Sequence, residues 1–189
     1  MTIALTAEPA VEPLTLDEVK AHLRIDHIHE DTLLLDTLRA ARSYTEFASQ
    51  RRIITQEWRQ YEACAPESRE IDLRVGPVQA VTAVTVYDID GTPSVLAETD
   101  YSLAAGGDPK ALTLAAAFDT TRAANGLEID LTAGFGDAGI EAPDVLRRAI
   151  LLLIAHWYEF RGAVPAGDQP VSLPPGYDAL LQPFRQVRV

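Results

Sequence analysis

APDVLRRAILLLIAHWYEFRG, residues 142–162, is the stretch on which the fold of this chain turns. Pro143 stands where a helical pattern opens and Gly162 where it closes, the residues favoured at helix starts and stops. Between them Ile150, Leu151, Leu152, Leu153 and Ile154 follow one another without a polar break. A surface helix of a small monomer carries one apolar stripe, whereas a helix apolar all round has to be covered from several sides. Trp157, Tyr158 and Phe160 add further apolar surface. The segment predicts a helix built to sit among neighbours, which points to assembly ahead of catalysis.

Upstream, Thr15-Leu16-Asp17-Glu18 has the form of a capping box, in which hydroxyl and carboxylate each take a free amide at the helix start. A short helix is expected to about Arg24, with Leu16, Val19 and Leu23 on one face. A longer one is expected from about Glu30 to Ser49, with Leu34, Leu38, Ala41, Thr45 and Ala48 at helical spacing. From Ile53 the period falls to two: Ile54, Gln56, Trp58 and Gln60 alternate with Thr55, Glu57, Arg59 and Tyr61. Further strands are expected over residues 70–75, 81–87, 95–96, 101–103, 111–114 and 127–133. Asp90-Gly91 supplies a hairpin signal, because both turn positions tolerate positive φ.

These readings give an α+β fold: a helical core of short helix, long helix and apolar C-terminal helix, with a small antiparallel β unit inserted. Residues 14–52 and 141–162 form the helical core and residues 53–140 the β insertion. Residues 1–13, with Pro9 and Pro13, read as a flexible arm. Residues 163–189 contain Pro165, Pro170, Pro174, Pro175 and Pro183, cannot form one long helix, and read as a mostly extended tail.

Composition narrows the function. Of 189 residues, 47% are hydrophobic and 23% charged, as in a globular chain. The net charge is −12, and it is uneven. Residues 1–52 hold 6 basic and 9 acidic side chains, residues 53–141 hold 5 and 15, and residues 142–189 hold 5 and 4. A middle segment of −10 argues against sequence-specific DNA binding, which needs clustered Lys and Arg. A surface that DNA passes without sticking is compatible with it. The lone Cys64 excludes an internal disulfide framework and a multi-cysteine zinc site. The N-terminus lacks the basic start of a signal peptide, no stretch has the length of a membrane span, and a reducing cytoplasm is the expected compartment.

Several motifs imitate chemistry. Gly134-Phe135-Gly136-Asp137-Ala138-Gly139 fits G-x-G-x-x-G between a strand and a helix. Its third glycine does not open the helix, and no second parallel strand follows to make a dinucleotide crevice. Asp88-Ile89-Asp90-Gly91 begins like a calcium loop, but Thr99 stands at the twelfth position in place of a bidentate Glu. His156 and Glu159 have the spacing of di-metal bundles, yet the long helix offers only Asp36 and Glu46 as further ligands; a histidine hydrogen-bonded within a helix interface is the plainer reading. His22, His27 and His29 cluster near the first turn without a ligand set. Cys64 has no base beside it to make a thiolate. No catalytic residue, metal site or cofactor is expected.

The ordered set of motifs resembles one family, the head–tail connector or adaptor proteins of long-tailed phages and of phage-derived gene transfer particles. The residues that carry the likeness are 14–20 with Leu23-Arg24, Glu30-Asp31, Ile54-Thr55-Gln56-Glu57-Trp58-Arg59, Gly76-Pro77-Val78-Gln79-Ala80-Val81 and Tyr87-Asp88-Ile89-Asp90-Gly91. It continues through 131–137 and 146–153 to His156-Trp157-Tyr158-Glu159. The resemblance implies a helical core with a β insertion, and a homo-oligomeric ring of about twelve copies beneath the portal protein of a capsid. It implies a partner on the far side, the next connector, stopper or tail-terminator protein, and a channel through which DNA passes. It implies neither enzymatic activity nor a cofactor, and a C-terminal segment that docks into the portal.

An extended tail with free backbone groups can bind by adding a strand to a sheet. Phe184, Val187 and Val189 would then be apolar contacts, and Arg185 and Arg188 would meet an acidic rim; a frayed terminus is the alternative. Arg39, Arg42, Arg51 and Arg52 are candidates for pairs between subunits. Surface ion pairs contribute only about 0–1 kcal/mol each, so ring closure should rest on apolar area, for which Tyr44, Trp157 and Tyr158 are candidates. These three could equally pack the core of a single copy. Two other classes remain open: a small nucleotide-binding enzyme using Gly134–Gly139, and an interaction module unrelated to phage.

Overall fold

The computed structural model describes residues 2–106, 110–160 and 173–185. The chain divides into two compact units, one of residues 1–10 and 55–135 and one of residues 11–54 and 136–189. In chain order the elements are β1 (Thr2–Ala7), α1 (Leu16–Leu23), α2 (Asp31–Ser49), β2 (Gln56–Glu62), β3 (Glu70–Asp72), β4 (Val78–Tyr87), β5 (Pro93–Val95), β6 (Tyr101–Leu103), β7 (Ala111–Leu114), β8 (Leu127–Ala133), α3 (Asp144–Glu159) and α4 (Tyr177–Leu181). The fold is α+β.

The β unit holds two antiparallel sheets, ordered β1-β2-β8-β4-β5 and β3-β7-β6. Strand β8 is its axis. It buries Leu127, Ile129, Leu131 and Ala133 and turns the residues between them outward, the period-two pattern of a half-buried strand. Val84 and Val86 of β4 stand opposite Ile129 and Leu127, and Ile71, Leu73, Leu112, Leu114 and Phe118 complete the core. The regular alternation expected around residues 81–87 is interrupted, because register shifts fall between Val78 and Ala80 and between Val81 and Ala83. Each is an irregularity that bends and twists the strand. Asp88 closes the β4–β5 turn: its carboxylate accepts from the amides of Asp90 (3.0 Å) and Thr92 (2.8 Å), and Gly91 takes φ +79°.

The arm expected at residues 1–13 is corrected in part. Residues 2–7 are the edge strand β1, paired antiparallel with β2 from Thr2 opposite Tyr61 to Ala7 opposite Glu57. Thr-Ile-Ala-Leu-Thr-Ala is uncharged and suited to a pleated surface, and Pro9 and Pro13 mark where the chain leaves it.

In the helical unit the capping box forms as expected. The Glu18 amide donates to Thr15 Oγ1 (3.2 Å), and Glu18 Oε2 accepts from the Thr15 amide (2.8 Å). That backbone contact, with the Arg147 guanidinium close by, holds the Glu18 carboxyl below the usual carboxylate range. Helix α3 buries Leu146, Ala149, Ile150, Leu153 and Ile154, which follow one another at the spacing of a single helix face. Leu151, Leu152 and Ala155 are half-buried. Because α3 packs against α1, α2 and α4, its own chain supplies much of the cover expected from neighbouring copies.

Candidate assembly surfaces

The largest departure from expectation lies near the C-terminus. Residues 163–172 and 186–189, and with them Val187, Arg188 and Val189, lie outside the described residues. The stretch 173–185 was expected to be extended. It instead forms α4 and a 3-10 turn over Gln182–Phe184. The cause is tertiary. Tyr177 and Leu181, both fully buried, enter the helical core. Tyr177 Oη lies 2.9 Å from Thr45 Oγ1, and because that hydroxyl already donates to the Ala41 carbonyl, it accepts from the tyrosine. Burial pushes the Tyr177 phenol up to about 12. Arg51 Nε donates to the Phe184 carbonyl (2.8 Å), and Arg185 Nη2 to Asp178 Oδ1 (2.6 Å). A clasp on α2 therefore fixes Phe184 and Arg185, and their carbonyl and guanidinium contacts belong to their own subunit.

The arginines proposed as contacts between subunits separate into two kinds. Arg42 lies inside, with Nε on Glu12 Oε2 (2.8 Å) and Nη1 on Glu46 Oε2 (3.1 Å). Glu46 is buried as well, and its other oxygen accepts from the Ile53 amide (2.8 Å). Burial lowers the Arg52 guanidinium, and Glu46 opposes that shift. Arg42 on α2 and Arg51 just past its end are thus buried within their own subunit, and Arg52 is half-buried. Arg39 alone points outward, 62% exposed, with Asp36 beside it at 3.3 Å. Among the aromatics, the Trp157 ring meets Tyr44 edge-on at 6.0 Å, Tyr44 meets Tyr177 at 6.1 Å, and Tyr158 Oη donates to Glu30 Oε2. Trp157 and Tyr158 are half-buried against their own chain, and Tyr44 is 36% exposed.

A surface that extends the candidate Tyr44 to residues not singled out for it lies on the other side of α2. Leu33 (43% exposed), Tyr44 (36%) and Phe47 (72%) lie with Ala40 at steps of seven, four and three residues. That spacing places them on one stripe. The stronger run of Leu34, Leu38, Ala41 and Thr45, one position along, hides the stripe in the sequence.

The motifs that imitate chemistry resolve into structure. Glu141 fills the glycine-rich turn: its Oε2 accepts from the Ala138 amide (2.9 Å), and a Cβ on Gly136 would stand 2.4 Å from it. A carboxylate thus sits where a phosphate would have to bind. The His156 ring lies 5.0 Å from that of Phe160, tilted by 58°, and its Nε2 is buried without a partner among the described residues, a correction to the hydrogen-bonded role expected for it. On the β unit, Arg59 makes paired hydrogen bonds to Asp130 (2.6 and 2.8 Å) with Glu128 at 3.3 Å, which raises its guanidinium still further. No group of three or more His, Cys, Asp or Glu suited to a metal occurs among the described residues. No helix among them is long and apolar enough to cross a membrane.

Comparison with known proteins agrees with this structural character. The family model of phage gp6-like head-tail connector proteins matches residues 13–92. No curated protein matches the chain. Among solved structures, a chain in the neck of an empty gene transfer agent particle, computed with sixfold symmetry, is 28% identical with a TM-score of 0.84. The match covers 100% of this chain and 97% of that one. Chains in the virion of the native particle and in its neck computed with twelvefold symmetry match over the same shares at 28% identity, with TM-scores of 0.81 and 0.80. The family model spans the capping box, α1, α2 and strands β2 to β4, and the solved neck chains extend the likeness to the whole: this chain is similar to head–tail connector proteins over residues 13–92 and to gene transfer agent neck chains over its full length.

Proposed function

We propose that copies of this chain form a ring in the neck of a phage or phage-like particle, beneath the portal protein. The ring joins the portal to the next connector, stopper or tail-terminator protein. The chain is a structural connector of the phage-like neck, and the observation that carries this is a match over 100% of its length to a neck chain. Twelve copies is the number we assign, in keeping with a matching neck computed with twelvefold symmetry. A heterologous contact closes into a ring only when its rotation suits a whole number of copies, and docking on a portal would impose that number. The chain works by holding and spacing, without catalysis or cofactor. The −10 charge of residues 53–141 suits a channel wall that DNA slides past.

The clasp refines the portal-docking segment. Phe184 and Arg185 form its root, held by Arg51 and Asp178, and Val187, Arg188 and Val189 are its docking residues. Removing residues 186–189 should leave the thermal midpoint of the protein unchanged and abolish the joining of heads to tails. Particles that assemble normally with the truncated chain would overturn the docking role. A cut before Tyr177 would not test it, because that cut also takes Tyr177 and Leu181 out of the core.

A further inference from the structure

We propose that a second copy of this chain covers the outward stripe of α2, with Phe47 as the central anchor, and that the covering surface is the groove around Ile140. The inference rests on the ring reading and assigns it a contact. Helix α2 buries Leu34, Leu38 and Ala41 together with Arg42, Thr45, Glu46 and Ser49, and still exposes the apolar stripe of Leu33, Tyr44 and Phe47 beside Asp36 and Arg39. A helix that ends its burial at one copy places apolar side chains inward and polar ones outward. In a ring every copy has the same two neighbours, so an apolar stripe on one side requires a receiving surface elsewhere on the same chain. The helical unit carries one. Val11 and Leu14 line an open groove beside Ile140, which is 85% exposed; on its rim Glu12 is held by Arg42 and Glu18 by Arg147, and Asp137 is exposed. Arg39, next to the stripe and 62% exposed, has the charge that Asp137 on this rim complements.

The stripe is too small to hold two free copies together. Its two aromatics expose about 200 Å² between them, taking roughly 200 Å² for each whole side chain. A stable pair buries about 800 Å² per partner. Such a contact suits copies already gathered on a portal, where effective concentration replaces affinity.

Phe47→p-benzoylphenylalanine, incorporated in particles that carry the chain, tests this by photo-cross-linking and peptide mapping. The expected product is a covalent dimer of this chain, joined from position 47 to the segment 137–140 or to Val11. Cross-links only to another neck protein, or none although the chain is present in the neck, would overturn the inference and leave the ring reading standing. Absence of the chain from necks would overturn both. Phe47→Ser gives a second measure: neck occupancy in competition with wild type should fall at least tenfold at an unchanged thermal midpoint, and equal occupancy would overturn the contact.

Discussion

Replacing Tyr177 by Phe removes one oxygen from the best-buried aromatic of the chain, and the consequence changes sign with pH. Near neutrality the variant loses the bond to Thr45 Oγ1 and leaves a buried acceptor without its donor, a cost of about 1 kcal/mol. In the wild type, burial raises the phenol from 10.0 to about 12. The folded state therefore holds its proton more tightly than the unfolded chain does. That contribution is complete below pH 10 and is lost as pH climbs through the interval to about 12. Two pH units correspond to about 2.7 kcal/mol, and half of that, about 1.4 kcal/mol, is gone by pH 11. Tyr177→Phe has no proton to lose. It should be less stable than wild type by about 1 kcal/mol at pH 8, equal to it just below pH 11, and more stable above. Urea unfolding followed by circular dichroism at 222 nm, at half-unit steps from pH 8 to 11.5, reads the difference directly. Other tyrosines titrate in both proteins and cancel in it. Parallel curves across the whole range would refute the argument, because the alkaline loss would then not arise at this hydroxyl.

Two further substitutions probe the helical unit. Glu46→Ala removes one of the two carboxylates on the buried Arg42, leaving Glu12, and frees the Ile53 amide, and should cost about 1–3 kcal/mol of unfolding free energy by urea titration, against about 0.5 kcal/mol or less for Asp36→Ala on the exposed side. Gly136→Ala sets a Cβ 2.4 Å from Glu141 Oε2; calorimetry should show a loss of about 1–3 kcal/mol, relieved in part when Glu141→Ala is added.

What the sequence disclosed was what neighbouring residues decide among themselves. Thr15 and Glu18 cap α1 because they are three residues apart, Asp88 to Gly91 turn because of their own φ preferences, and β8 alternates because one sheet face is buried. What stayed hidden depended on distant partners. Nothing in residues 2–7 reveals that Tyr61 to Glu57 will pair with them. Tyr177 reads as part of a proline-broken tail until Thr45, 132 residues earlier, supplies its partner. Arginine misled for a related reason. Arg39 and Arg42 look alike in the sequence, and only the three-dimensional position of Glu12 and Glu46 sends one outward and the other into the core.

Helix α2 brings these strands together. Its inward side carries, beside Leu34, Leu38 and Ala41, charged groups that bind this chain's own segments, Glu12 before α1 and Ile53 after α2, and Arg51 just past its end holds the carbonyl of Phe184. Directional bonds fix where each of those segments leaves the unit, which apolar contacts, being non-directional, do less sharply. The outward side presents the apolar stripe of Leu33, Tyr44 and Phe47 beside Asp36 and Arg39, and apolar contacts need no particular angle. That division suits a connector. The segments that meet different proteins must leave each copy at one set position, while the contact between copies must tolerate the small rotations by which a ring adapts to the portal above it. If so, substitutions on the inner side disturb how a single copy folds, and those on the outer side disturb only how copies meet. Glu46→Ala and Phe47→Ser, one residue apart, separate the two.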